Sequence, residues 1–304
     1  MKWKKHGLIF NPKNKFDWAS SHALQPTPLF IDGKFRVFVG LRDADGVSRI
    51  GYVDLNPNNP SEVIGYSSNP VLDIGEDGAF DEFGVVPCAV YQKGREVYLY
   101  YAGYQRGLKA RFLVFGGLAI SNDNGENFVR YKKTPIFERT TEEFLFRVPH
   151  TVMQDGEKYR IWYGGGNRFL QGKEKTLPIY DIRYIESLDG MTIPESGVVC
   201  IPTQAGEYRL GRPYVIRMAD KTYRMFYGYS SEEFHYKLGF ADSADGINWI
   251  RRDSEMGLDL SESGWDSTMM AYPSFIEYKN KAFLLYNGNS YGLEGFGLAE
   301  LIAW

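Results

Sequence analysis

Apolar runs closed by glycine recur along the chain: Lys34-Phe-Arg-Val-Phe-Val-Gly40, Val97-Tyr-Leu-Tyr-Tyr-Ala-Gly103, Tyr159-Arg-Ile-Trp-Tyr-Gly164, Tyr223-Arg-Met-Phe-Tyr-Gly228 and Phe283-Leu-Leu-Tyr-Asn-Gly288. Their aromatic and β-branched content predicts strands rather than helices. A proline heads an apolar run before each of them, at Pro26, Pro87, Pro149, Pro213 and Pro273, in steps of 61, 62, 64 and 60 residues. Seven residues after each proline stands Gly33, Gly94, Gly156, Asp220 or Asn280. Each unit therefore reads as a hairpin: a strand from the proline, a tight turn, and a second strand rich in Tyr and Phe.

A third strand follows: Arg49–Asp54, Gly117–Ser121, Arg183–Ser187, Leu238–Ser243 and Gly297–Glu300. Three of these run into a related turn, around Ser121 and Asp123, Ser187 and Asp189, and Ser243 and Asp245. Asp beside Gly supplies the side-chain hydrogen bond and the positive φ that such turns use. Phe128 or Trp249 then starts a fourth strand and packs between units. Four antiparallel strands repeated at this spacing predict an all-β chain, a five-bladed β-propeller. The five steps take up residues 1–304 as one domain, with blades starting near residues 22, 81, 143, 207 and 266. The last unit lacks a fourth strand of its own. The N-terminal stretch Lys5–Phe10 has strand character and is expected to complete that blade and close the ring, leaving no open edge.

Composition agrees with this and narrows the setting. Aromatic residues make up 16%, and there are 33 glycines. A net charge of −3 argues against a nucleic-acid partner, which would call for a basic face. Cys88 and Cys200 are too few for a disulfide framework or a zinc site and read as buried, unreactive thiols. Only Leu8, Ile9 and Phe10 follow the basic start before Asn11-Pro12, too short a run for a signal peptide, and no stretch is long enough for a membrane span. The expected setting is cytoplasmic. No metal-ligand cluster or cofactor motif stands out; the run Trp162–Arg168 follows a strand but opens no helix, so it is not a dinucleotide fingerprint.

In a propeller, the first strands line the central channel, so chemistry is sought around the five prolines. A residue type shared by most blades reads as structural; one confined to a single blade is a better candidate. Asp81, Glu143, Glu207 and Asp266 recur six or seven positions before the proline, each beside an aromatic residue. Asp81 stands out because Glu82 follows it, and paired carboxylates raise one pKa, as a general acid requires. The blade-specific residues are His22 and Gln25, Arg147 and His150, Arg209, Arg212 and Tyr214, and Tyr272. Arg42 with Asp43 is a further pair. Arginines and histidine gathered at blade entrances would form a cationic mouth for a carboxylate or phosphate. The bland alternative is that the arginines brace Glu143 and Glu207. Mouth aromatics such as Tyr104, Tyr214, Tyr229, Tyr272 and Tyr291 could stack on sugar rings.

The proline–turn spacing, the aromatic strand ending in Gly and the Ser243-Ala-Asp-Gly-Ile-Asn-Trp249 turn resemble the five-bladed propellers of glycoside hydrolase families 43, 32, 68 and 130. The stretches Gln25-Pro-Thr-Pro-Leu29, Phe35–Asp43 and Ser48–Asp54 are also similar to glycosidase-like proteins encoded with surface-polysaccharide biosynthesis enzymes. The resemblance implies a carbohydrate-active protein acting on a glycoside or activated sugar; if it is an enzyme, Asp81, paired with Glu82, is the expected catalytic acid or base. The family 43 pattern carries an Asp directly before the first-blade proline and a Glu two before the third; here Gln25 and Arg147 stand there. Two alternatives therefore stay open. One is a transferase or phosphorylase using a sugar phosphate or nucleotide sugar; the other is a carbohydrate-binding propeller without turnover.

Overall fold

Every proline-headed run forms the first strand of an antiparallel set. The first set is β2 (Ser21–Ile31), β3 (Lys34–Arg42), β4 (Ser48–Asn56) and β5 (Asn59–Tyr66), and the second is β6 (Val85–Lys93), β7 (Glu96–Arg106), β8 (Phe112–Ser121) and β9 (Val129–Arg130). The third is β10 (Phe146–Asp155), β11 (Lys158–Gln171), β12 (Thr176–Ser187) and β13 (Val198–Ile201), and the fourth is β14 (Glu207–Arg217), β15 (Tyr223–Ser231), β16 (Lys237–Ser243) and β17 (Ile250–Arg251). The last comprises β18 (Ala271–Tyr278), β19 (Lys281–Asn287) and β20 (Phe296–Ala303), and β1 (Lys2–Phe10) pairs antiparallel with β20 from Lys2 opposite Ala303 to Phe10 opposite Phe296. The computed structural model describes residues 1–172 and 176–304, and these form an all-β architecture of antiparallel sheets. No helix among the described residues is long and apolar enough to cross a membrane.

The turns between first and second strands use the left-handed backbone that their residues favour. Gly33, Gly94 and Gly156 have φ of +73°, +62° and +63°, and Asn280 has +63°. In the fourth set the left-handed residue is Lys221, next to Asp220, whose carboxylate accepts from the Thr222 N–H at 3.0 Å.

The aromatic residues are buried where one set meets the next. Phe10, Phe35, Val37 and Leu298 join the last set to the first. Phe38 and Tyr101 belong to the second such cluster, Tyr100 and Tyr159 to the third, Trp162 and Tyr223 to the fourth, and Phe226 and Phe275 to the fifth. Burying a side chain of this kind stabilises by about 1.5–3 kcal/mol. Phe128, just before β9, packs edge-on against Phe38 at 5.4 Å, and Trp249, just before β17, against Trp162 at 6.5 Å. The shared turns add a second lock. Asp189 accepts the N–H of Met191 at 2.8 Å, and Asp245 accepts that of Ile247 at 2.8 Å. The turn carbonyls this leaves free take donors from the preceding set: the Tyr100 hydroxyl donates to Gly190 O at 2.8 Å, and the Trp162 indole to Gly246 O at 2.8 Å.

Candidate functional site

The first strand of every set slips register at its proline: between Leu24 and Thr27, Pro87 and Ala89, Pro149 and Thr151, Gly211 and Tyr214, and Ala271 and Ser274. A bulge of this kind re-aims a side chain. In three sets the residue before the proline is left-handed, with φ of +51° at Gln25, +57° at Arg212 and +56° at Tyr272. Such a backbone costs a non-glycine residue on the order of 1–3 kcal/mol and persists only where the surroundings enforce it. In the other two sets the displaced residue follows the proline and is Cys88 or His150.

Several of these side chains meet. Arg212 is 1% exposed. It reaches from β14 to β2 and β6, donating to Gln25 Oε1 at 2.9 Å, Pro87 O at 3.0 Å, Pro26 O at 3.0 Å and Thr27 Oγ1 at 2.8 Å. The Cys88 thiol also donates to Gln25 Oε1, at 3.6 Å. All four acceptors of Arg212 are neutral, and burial pulls its pKa down to about 10, so it stays charged at neutral pH. His150, 4% exposed, is held well below the usual imidazole range by burial and then by the charge of Arg212. The Nε of Arg212 and the Nδ1 of His150 are both buried without a hydrogen-bond partner among the described residues.

These residues border a cavity of about 210 Å3. Its cations are Arg42, Arg111, Arg209 and Arg212, and no Asp or Glu among the described residues lines it. None of the four arginines has a carboxylate within ion-pair distance among the described residues. Arg209 donates to Ser230 Oγ at 2.8 Å and to the Tyr291 hydroxyl at 2.9 Å, with its guanidinium 4.2 Å from the centre of the Tyr236 ring. Arg42 faces His22 Nε2 at 3.3 Å, and its own Nε is buried without a hydrogen-bond partner among the described residues. Burial, and then the charge of Arg42, lowers the His22 pKa to about 4, so His22 is neutral at pH 7. The walls are aromatic: Phe146 stacks on Tyr180 at 4.4 Å, and Tyr272 on Tyr291 at 6.3 Å. Burial raises the phenols of Tyr104, Tyr180 and Tyr272, which remain neutral hydrogen-bonding groups. Among the described residues, no group of three or more His, Cys, Asp or Glu side chains is placed to hold a metal ion.

Gln25, Arg42, His150, Arg209, Arg212 and Tyr272 thus come together, with His22 behind Arg42. Asp81 and Glu82 lie outside this cavity. Asp81 is 0% exposed and accepts from the Tyr101 hydroxyl at 3.0 Å and from Arg130 Nε at 2.8 Å. Glu82 accepts from the Gly78 N–H at 2.6 Å and from Gln105 at 3.3 Å. The other recurring acids have comparable partners: Glu143 accepts from Tyr163 at 2.7 Å, and Asp266 from Tyr286 at 3.0 Å. Glu207 pairs with Arg251, while Tyr227 donates to Asp253. Arg147 also lies outside, paired with Glu143 at 2.6 Å. Asp43 accepts from Arg49 at 2.7 Å and from the Val47 N–H at 2.9 Å. Tyr214 borders a second cavity of about 150 Å3, which shares His150 with the first, and its hydroxyl donates to Phe275 O at 2.9 Å. Sequence reasoning missed Arg111 and Tyr180, which sit away from the proline-headed motifs, and Phe146, which stands three residues before Pro149. It also missed Asn287, whose Oδ1 accepts the Gln25 N–H at 2.8 Å.

No family model matches the chain. Among solved structures, it superposes on a glycoside hydrolase with a TM-score of 0.76 at 18% identity, covering 99% of this chain and 92% of that one. A thermostable family-43 glycoside hydrolase gives 0.68 at 18% identity, over 94% and 90% of the two chains. A GH130 protein, from a family of mannoside phosphorylases containing hydrolases that target β-1,2 mannosidic linkages in Candida mannan, gives 0.70 at 14% identity, over 98% and 93%. These likenesses carry the fold: the chain has the architecture of glycosidase-like propellers. In sequence, the Mycobacterium tuberculosis protein Rv1502 is 34% identical over 304 residues, covering 99% of both chains. At that identity and coverage, the chain belongs to the family of Rv1502.

Proposed function

We propose that residues 1–304 form one domain, a five-bladed propeller closed by β1, whose central cavity binds a sugar bearing a phosphate group. The antiparallel β1–β20 pairing and the apolar seam between the last and first sets support closure. One observation carries the functional reading: the cavity presents four arginines without carboxylate partners and no Asp or Glu among the described residues. Guanidinium groups match phosphate oxygens in geometry and charge. A phosphate dianion offsets more of that charge than a single carboxylate does. The aromatic walls offer faces for a sugar ring.

Two-carboxylate hydrolysis requires an acid and a base or nucleophile flanking one glycosidic bond. Among the described residues the cavity supplies neither from Asp or Glu, and Asp81 and Glu82 hydrogen-bond within their own surroundings. The chemistry that fits is recognition of an activated sugar, a sugar phosphate or nucleotide sugar, for group transfer in surface-polysaccharide assembly in the cytoplasm. Thermal-shift titration with inorganic phosphate, glucose 1-phosphate, UDP-glucose, glucuronate and glucose tests this. A ligand at a hundred times its Kd stabilises by about 2.7 kcal/mol. The phosphate-bearing compounds should raise the melting temperature and glucose should not. If no phosphate compound raises it, or glucose does so equally, the reading fails.

A further inference from the structure

Resting on that reading, we infer that His22 is a positioning residue for the phosphate site: its imidazole accepts a hydrogen bond from Arg42 and holds that guanidinium in place for the anion. Arg42 Nη1 stands 3.3 Å from His22 Nε2, and His22 Nδ1 stands 2.9 Å from the Ser21 hydroxyl. A guanidinium can only donate, so the Nε2 it meets is the bare nitrogen of the ring, and the ring proton sits on Nδ1 and goes to Ser21 Oγ. Burial and Arg42 itself keep the ring neutral at pH 7. Arg42 borders the cavity and is half-buried. Its Nε is shut off from solvent, so contact with a ligand falls to the Nη end that His22 fixes.

The placement is built into the backbone. Ser21 lies opposite Arg42 across β2 and β3, and the register slips between Ser21 and Leu24. Residues directly opposite share a face and successive residues alternate, so in an unbroken ladder His22 would point away from Arg42. The slip, with His22 left-handed at φ +60°, brings its ring back to Arg42. Arg209 and Arg212 are each held by at least two side-chain hydrogen bonds, whereas the contact with His22 is the one such bond of Arg42 among the described residues. A long side chain left free has to be ordered when the anion binds, and a contact made beforehand removes part of that cost. A carboxylate would anchor Arg42 too, but it would offset the charge that phosphate needs. An uncharged imidazole orients the guanidinium and leaves its charge to the ligand.

Isothermal titration of the full chain with inorganic phosphate and glucose 1-phosphate tests this. His22→Leu should weaken both by about fivefold, the order expected for ordering one long side chain on binding. His22→Gln, whose Oε1 lies as far along the side chain as Nε2, should recover most of that loss, which a general disturbance of the fold would not. In an Arg42→Met background, His22→Leu should cost nothing further, because it acts through Arg42. Should His22→Leu not fold, nitrogen NMR of the wild-type imidazole gives a second readout: at pH 7, Nδ1 should carry the proton and Nε2 should be bare. A proton on Nε2, given instead to the Ser290 backbone beside the ring, overturns the inference. So does a wild type that binds phosphate no better than His22→Leu, a His22→Gln variant that recovers nothing, or a His22→Leu loss that is as large without Arg42 as with it. If the wild type binds no phosphate compound at all, the functional reading fails and this inference with it.

Discussion

Replacing Asp81 by Asn separates a structural carboxylate from a catalytic one. The side chain is fully buried and takes two donors, the Tyr101 hydroxyl at 3.0 Å and Arg130 Nε at 2.8 Å. Both donors meet the same oxygen, Oδ2, so asparagine, nearly isosteric, can keep its amide oxygen there, but it removes the negative charge that pairs with Arg130. The charge-assisted bond to Arg130 is worth about 1.5–3 kcal/mol and the neutral bond from Tyr101 about 1 kcal/mol. Breaking a fully buried pair costs about 3–5 kcal/mol, and Arg130, whose side chain is 22% exposed, lets water recover part of that. The expected loss is about 2–3 kcal/mol. At about 2–4 °C per kcal/mol for a large domain, the melting temperature should fall by about 4–12 °C. Affinity for glucose 1-phosphate should hold within twofold, because Asp81 does not border the cavity. Differential scanning calorimetry and titration of one preparation give both numbers. Tyr101→Phe should cost less, and the double variant less than the sum of the two, because they share one contact. An Asp81→Asn protein that melts with the wild type but loses binding or turnover would refute this and restore the catalytic assignment read from the sequence.

Other consequences follow from the cavity and its surroundings. Arg42→Met should weaken phosphate binding by about tenfold, with melting within about 2 °C, because Arg42 has no carboxylate partner among the described residues to strand; unchanged affinity in titration would remove Arg42 from the site. Because the His22 pKa falls from 6.5 unfolded to about 4 folded, the unfolded chain binds the extra proton between those values. The stability His22 contributes is therefore present above pH 6.5 and lost as pH falls toward 4, by on the order of 2–3 kcal/mol. Melting curves from pH 7.5 to 4.5 should show that slope, and His22→Asn should flatten it. Burial raises the Cys88 thiol to about 12, so an aromatic disulfide reagent at pH 8 should modify Cys88 only in denaturant, as peptide mapping would show.

The proline spacing made the strands legible, because a period-two apolar run before a turn residue has few other solutions. It also made the cavity partly legible. Gln25, His150, Arg209, Arg212 and Tyr272 were found by asking which residues belong to one unit alone, and the structure gathers them. Arg147 shows where that question stops. It lies two residues before its proline, whereas Arg212 lies one before, and side chains alternate faces along a strand. The displaced residue of β10 comes after Pro149 instead of before it, so Arg147 turns to Glu143 and His150 takes the inner place. Nothing in the residue types around a proline says on which side of it a strand will bulge. The carboxylates held a clearer signal. Asp81, Glu143 and Asp266 each have a tyrosine twenty residues later, and each accepts its hydroxyl. A spacing shared by several units marks a strut, and it outweighs the neighbouring Glu82 that made Asp81 look singular.

The charge of the cavity has a further consequence. Buried arginines are usually compensated by carboxylates, as Arg36 is by Asp54 at 2.9 Å, because an uncompensated charge in an apolar interior is expensive. Arg212 is instead wrapped by neutral oxygens, and its pKa of about 10 records that cost while leaving it charged at pH 7. His22 and His150 are both pushed to the neutral form, so the histidines add nothing to the cavity's charge near neutrality. Among the described residues, the cavity's positive charge near neutrality therefore rests on arginine. A site that releases its anion by losing a proton would put that charge on histidine. On the proposed reading, release of the phosphate-bearing ligand would therefore not draw on a change in the cavity's charge near neutrality.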